Sequence, residues 1–154
     1  MKKTIKSAFI LSLVILSGCA GPRISGHAIP TKIISENPEI LSINDEKTRE
    51  GFQAAVEKWL SKNGKKYSVK PDYSKHEPDK ITLEYEGKWS WDLALYLREA
   101  EIEAFYNGQR VSSVSFRAPN SLNTNKWGNA EERINLMLDV LFGNLSAVEA
   151  TQSL

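Results

Sequence analysis

The run EAEIEAFYNGQRVSSVSFR, from Glu99 to Arg117, decides how this chain folds. Ala100, Ile102, Ala104 and Tyr106 recur at every second position, with Glu99, Glu101 and Glu103 between them. Successive side chains of a strand point to opposite faces, so this period marks a strand with one buried and one solvated side. Asn107-Gly108 follows. Both residues tolerate the positive φ that a type I′ hairpin turn requires. The run is therefore a hairpin, with 99–106 and 109–117 as its arms. Val111 and Val114 cannot share a face of a regular strand, which implies a bulge or a two-sided strand in the second arm.

Upstream, Ile81, Leu83 and Tyr85 alternate with Thr82, Glu84 and Glu86, a second half-buried strand. Residues 65–70 read as a strand around Tyr67 and Val69 that Pro71 ends, and 71–80 as a polar loop. Phe52, Val56, Trp59 and Leu60 form one apolar stripe at helical spacing, which predicts a helix from Asp45 to Asn63, capped by Asp45 or Thr48 and stopped at Gly64. Ile33, Ile34, Ile40, Leu41 and Ile43, broken by Pro38, predict one or two short strands. The segment Gly87-Lys88-Trp89-Ser90-Trp91-Asp92 running into Leu93 to Leu97 is too short to assign.

Downstream, Asn129-Ala130-Glu131-Glu132 resembles a capping box, with Asn129 as the cap and Glu132 at N3. Ala130, Ile134, Met137, Leu138, Leu141 and Phe142 make the stripe of a second helix, closed by Gly143. Residues 144–154 carry no strong signal and read as a tail. Together these elements predict an α+β fold, a small, mostly antiparallel sheet with two amphipathic helices packed on one face. The single α/β domain spans 31–143.

The beginning of the chain has a different grammar. Lys2, Lys3 and Lys6 precede an apolar stretch from Ala8 to Leu16, interrupted by Ser12. A membrane-spanning helix needs about 20 apolar residues, so this stretch has the length of a signal-peptide core instead. Leu16-Ser17-Gly18-Cys19 follows. These four residues resemble the lipobox of bacterial lipoproteins. The resemblance implies a signal peptide over 1–18, cleavage before Cys19, and lipidation of Cys19 by diacylglycerol on its thiol and usually by acylation of the new amine. Thiolate nucleophilicity suits that S-alkylation, and more than one acyl chain makes anchoring stable. The rival readings are a plain secretory signal with a chance cysteine, or a short anchor. Residues 19–30 then read as the lipidated cysteine and a flexible tether, with His27 solvated. Ala20 follows the cysteine. In enterobacterial lipoproteins an aspartate there favours the inner membrane, so the resemblance implies the inner leaflet of the outer membrane, with the domain facing the periplasm.

A second resemblance rests on Gly87-Lys88-Trp89-Ser90-Trp91-Asp92 with Tyr96-Leu97, and on Asn107-Gly108 with Asn125-Lys126-Trp127-Gly128-Asn129-Ala130-Glu131-Glu132-Arg133-Ile134. Over the signal and roughly 80–143 the chain resembles a group of small lipoproteins of Gram-negative bacteria with no assigned activity. More distantly the order of elements is similar to small α/β domains of periplasmic assembly proteins, such as the N-terminal domain of the Tol system's propeller protein and lipoproteins that activate peptidoglycan synthases. That likeness concerns fold and carries no function.

Composition narrows the chemistry. The 154 residues carry a formal charge of +1, and loss of Lys2, Lys3 and Lys6 with the signal would bring it to −2. No basic stripe suited to nucleic acid is present. One cysteine permits no internal disulfide. Only His27 and His76 could join carboxylates in a metal site, so neither a metal nor a cofactor is expected. Glu84, Glu86 and Asp92 near two tryptophans could be drawn as the carboxylate pair of a glycan-cleaving enzyme. Glu84 and Glu86 read more simply as the wet face of a strand. Trp89, Trp91 and Trp127 are the remaining candidates. Trp89 and Trp91 share a face in a strand, and their expected place is the core, with Trp127 closing over them and Asp92 near an indole N–H. The alternative is an exposed aromatic patch that binds a partner.

The function expected from all this is a membrane-anchored, non-enzymatic binding or assembly-support module of the envelope. Its expected partners are the membrane through Cys19 and an envelope protein or peptidoglycan. The rivals are an enzyme acting on cell-wall glycan or peptide, and a carrier of a small apolar ligand.

Overall fold

The structure, a computed structural model, describes residues 21–119 and 122–154. The signal segment, the lipobox and Cys19 lie outside the described residues. The elements run β1 (Arg23–Gly26), α1 (Thr31–Ser35), β2 (Ile40–Ile43), α2 (Glu50–Lys62), β3 (Tyr67–Lys70), β4 (Ile81–Asp92), β5 (Ala94–Tyr106), β6 (Gln109–Arg117), a 3-10 turn (Thr124–Trp127), α3 (Ala130–Leu141) and α4 (Ala147–Gln152). The fold is α+β. Six strands form one mixed sheet in the order β1-β6-β5-β4-β2-β3. β2 runs parallel to both β3 and β4, and the other pairings are antiparallel.

The quoted hairpin is β5–β6, with Tyr106 opposite Gln109. Asn107 and Gly108 take φ of 51° and 73°, as a type I′ turn demands. The register slips so that Ala104 faces Ser112 while Phe105 faces Arg110. Val111 is thus the extra residue of a bulge, and Val114 and Phe116 return to the buried side. Ala100, Ile102 and Ala104 are buried as the alternation requires.

β4 and β5 form a longer hairpin that the sequence reading did not assign. Asp92 pairs with Ala94, so Leu93 alone makes the turn, at φ 62°. A second slip, between Lys88 and Trp89, leaves Arg98 as the extra residue on β5.

One apolar core holds the layers together. Phe52 of α2 stacks on Tyr85 of β4, with ring centroids 4.5 Å apart and planes 8° from parallel. The Arg133 guanidinium of α3 lies 4.8 Å from the ring centroid of Phe116 on β6. α2 and α3 also meet directly: the Trp59 indole N–H donates to Asp139 at 3.1 Å, and Trp59 stacks on Phe142. Asn129 caps α3 by accepting from the N–H groups of Glu131 and Glu132. Gly64 and Gly143 end α2 and follow α3 at φ of 63° and 78°.

Four local expectations are corrected. The stretch read as a flexible tether, 19–30, carries the edge strand β1, which pairs with β6 and buries Ile24. Residues 31–44 hold the short helix α1 as well as a strand. α2 begins at Glu50, because Asp45 instead closes a tight turn, accepting from Lys47 N–H and the Thr48 hydroxyl. Thr48 in turn accepts the N–H of Gly87. The 144–154 tail contains α4, started by a reciprocal Ser146–Glu149 capping box and tied to β1. There the Thr151 hydroxyl donates to the Ile24 carbonyl and accepts the Ile24 N–H, both at 3.0 Å.

Candidate functional site

The three tryptophans singled out in the sequence gather at the β4–β5 hairpin, in three different settings. Trp89 is half-buried and packs on the core, its ring edge-on to Phe52 with centroids 6.4 Å apart. It folds back over Gly87, where an added Cβ would lie 2.6 Å from the indole. Glycine at 87 is what lets the ring lie there.

Trp91 is 72% exposed. The expectation that it seals the core is therefore corrected. Alternation does put it on the same side of the strand as Trp89, but burial on that side ends past the Trp89–Leu97 pair, and Trp91, with Leu95, is left in solvent. Its cross-strand partner Leu95 is 47% exposed, and Leu93 at the turn is 80% exposed. The tip is thus apolar and wet. The other exposed large apolar residues, Val69, Tyr73, Leu122 and Val148, stand on separate elements.

Leu93 adds a second oddity. A turn at positive φ favours glycine or asparagine, and a branched apolar residue there costs about 1 kcal/mol.

The base of the tip is held by the loop before α3. Trp127 donates its indole N–H to the Asp92 carbonyl at 2.8 Å. Lys126, 2% exposed, bonds the Asp92 carboxylate, and its ammonium lies 4.6 Å from the Trp127 ring centroid and 5.9 Å from that of Tyr96. Arg133, also buried, fans its donors onto the carbonyls of Leu97, Lys126 and Asn125. Burial pushes the Arg133 guanidinium below its ordinary range. These contacts tie hairpin, loop and α3 together at the base of the tip.

The outer face of the sheet carries the other charged candidates. Glu84 pairs with Glu103 and Glu86 with Glu101 across β4 and β5. Nearer the tip, Lys88 faces Glu99, Glu99 faces Arg117, and Arg117 faces Arg23, making one rung across four strands. His76 Nε2 lies 2.7 Å from Glu84 Oε1, and its ring packs on Phe105. Asp92 is engaged with Lys126 at the far end of β4, so it does not converge with Glu84 and Glu86. His27 is exposed. No group of three or more His, Cys, Asp or Glu suited to a metal occurs among the described residues.

Lys126, Arg133, Leu93 and Leu95 were not singled out from sequence. Arg133 had a signal, since it lies on the α3 stripe between Ala130 and Met137. Leu93 and Leu95 did not, because Trp89, Trp91, Leu93, Leu95 and Leu97 alternate as one unbroken strand would.

No family model matches the chain, and no curated protein matches it. Among the described residues no helix is long and apolar enough to cross a membrane.

Proposed function

We propose that this chain is a lipoprotein of the Gram-negative envelope, held by lipid on Cys19 in the inner leaflet of the outer membrane, with its domain in the periplasm acting as a non-enzymatic binding or support module. In this reading α2 and α3 form one layer over one sheet face. They stiffen a platform whose working part is the β4–β5 hairpin.

The observation that carries the reading is the tip itself. Trp91, Leu93 and Leu95 are exposed together on a base clasped by Asp92, Lys126 and Trp127. A rigid apolar projection is suited to contact with another envelope component, because its side chains lose little conformational freedom on docking.

The anchoring half of the proposal is tested by metabolic labelling with a clickable fatty acid. Wild-type protein should take up label and sediment with outer-membrane fragments on a density gradient. Cys19→Ser should take up none and persist as uncleaved precursor. Equal labelling of the two would remove the lipoprotein reading.

A further inference from the structure

We propose that the tip of the β4–β5 hairpin, Trp91, Leu93 and Leu95, inserts into the same lipid leaflet that holds the anchor, giving the domain a second membrane contact and a fixed orientation. The inference rests on the anchoring reading above and names what the tip binds.

The sheet topology supplies the first argument. β6 runs toward the tip end of the sheet, since Arg117 at its end faces Glu99 near the start of β5. β1 is antiparallel to β6, with Arg23 opposite Arg117 and Gly26 opposite Val114. Traced backwards from Gly26 to Arg23, the chain therefore heads for the tip end. Gly21 and Pro22 share a cleft with Ala118 and Pro119, past the end of β6. Gly21 and Pro22, the described residues nearest in sequence to Cys19, and the apolar tip thus belong to one end of the sheet.

Lengths supply the second. Cys19 precedes Arg23 by four residues, a reach of at most about 14 Å. Leu93 stands five residues beyond Lys88 on β4, and Lys88 shares a rung with Glu99, Arg117 and Arg23, so the tip projects roughly 17 Å past that rung. A lipidated cysteine sits at the boundary of headgroups and acyl chains. With so short a link, the domain cannot stand off the bilayer, and the tip reaches at least as deep as the cysteine. An apolar face buried about 5–10 Å into that boundary is the ordinary depth of an interfacial element.

Chemistry supplies the third. Tryptophan favours the interface, where its ring is apolar and its N–H stays wet, and leucine favours the acyl region. Charge is ordered along the outer face to match. On the outer face the four-strand rung closest to the tip holds Lys88, Arg117 and Arg23 with Glu99, the next two hold Glu86 with Glu101 and Glu84 with Glu103, and Asp92 at the base of the tip is paired with Lys126. Along these three rungs the cations of β1, β4 and β6 lie toward the phosphates and the paired glutamates of β4 and β5 away from them, a favourable order at an anionic lipid surface.

The test uses the full lipidated protein reconstituted into vesicles of phosphatidylethanolamine and phosphatidylglycerol. Leu93→Cys and, at the opposite end of the sheet, Gln109→Cys each receive an environment-sensitive fluorophore. We expect the label at 93 to shift to the blue and to lose most of its intensity to lipids bearing a doxyl quencher near the top of the acyl chain. The label at 109 should do neither. Protein that floats with the vesicles and carries lipid on Cys19 by mass spectrometry, yet shows no quenching at 93, would overturn insertion and leave the anchor standing. A blue shift at 93 that ignores the quencher and grows with protein density would mean that a second copy covers the tip, which also overturns it. An unmodified Cys19 would remove the anchoring reading and this inference together.

Discussion

The indole N–H of Trp127 donates to the main-chain carbonyl of Asp92 at 2.8 Å, fastening the loop before α3 to the last residue of β4. Together with the Lys126–Asp92 pair, this bond joins segments 35 positions apart at the hairpin base while the tip stays in water. It also separates the roles of the tryptophans. Trp127 holds, Trp89 packs, and Trp91 is presented.

Substitution should reveal that division. Trp91→Ala should leave the thermal midpoint of the protein in solution nearly unchanged, because the side chain is 72% exposed. Trp89→Ala removes a ring packed on Phe52 and should cost up to about 3 kcal/mol, less than a fully buried tryptophan. Parallel thermal melts check both. A large loss in Trp91→Ala would mean that the tip is packed in solution.

Arg133→Met should destabilise by about 2–4 kcal/mol in urea unfolding, since it strips the carbonyls of Leu97, Lys126 and Asn125 of a shared donor. Arg133→Lys should rescue little of this. A single ammonium cannot reproduce the planar fork that reaches three carbonyls at once.

Leu138 is fully buried in the common core. Leu138→Ala should cost about 2–5 kcal/mol, read as a lower urea midpoint with an unchanged slope.

The C-terminal helix should respond to acid. The Ser146 backbone N–H, bonding Glu149 at 2.8 Å, holds that carboxyl below its ordinary value of 4.5, and the Ser146 hydroxyl lowers it further. A carboxyl depressed on folding contributes stability above its unfolded pKa and loses it as pH falls through the folded one. Amide hydrogen exchange in α4 should therefore quicken, relative to β4 and β5, as pH falls past the ordinary carboxyl value and through the depressed one. Glu149→Gln should flatten that response.

Much of the fold was legible because its signals are local. The alternation in 99–106, the Asn107-Gly108 turn, the irregularity at Val111 and Val114 (a bulge or a two-sided strand), and the two helical stripes each depend on residues within a few positions of one another. The Ser146-Ala147-Val148-Glu149 capping signal was equally present and could have rescued α4 from being read as tail. β1 was not legible in this way. Arg23 to Gly26 has no strand pattern of its own, and it becomes a strand because β6 offers it an unpaired edge.

The candidate site divides along the same line. The chain by itself determined that Trp89 and Trp91 stand just before Asp92 and that a lipobox-like run ends at Cys19, since both are facts of spacing, whereas the fold alone brings Trp127 to Asp92. Whether Trp91 is core or surface was beyond it. Residues 89, 91, 93, 95 and 97 alternate alike, and period two says which side of a strand a residue faces, never whether anything packs against that side. Only the tertiary structure decides that, because burial depends on how far α2 extends over the sheet and where the strand folds back at Leu93.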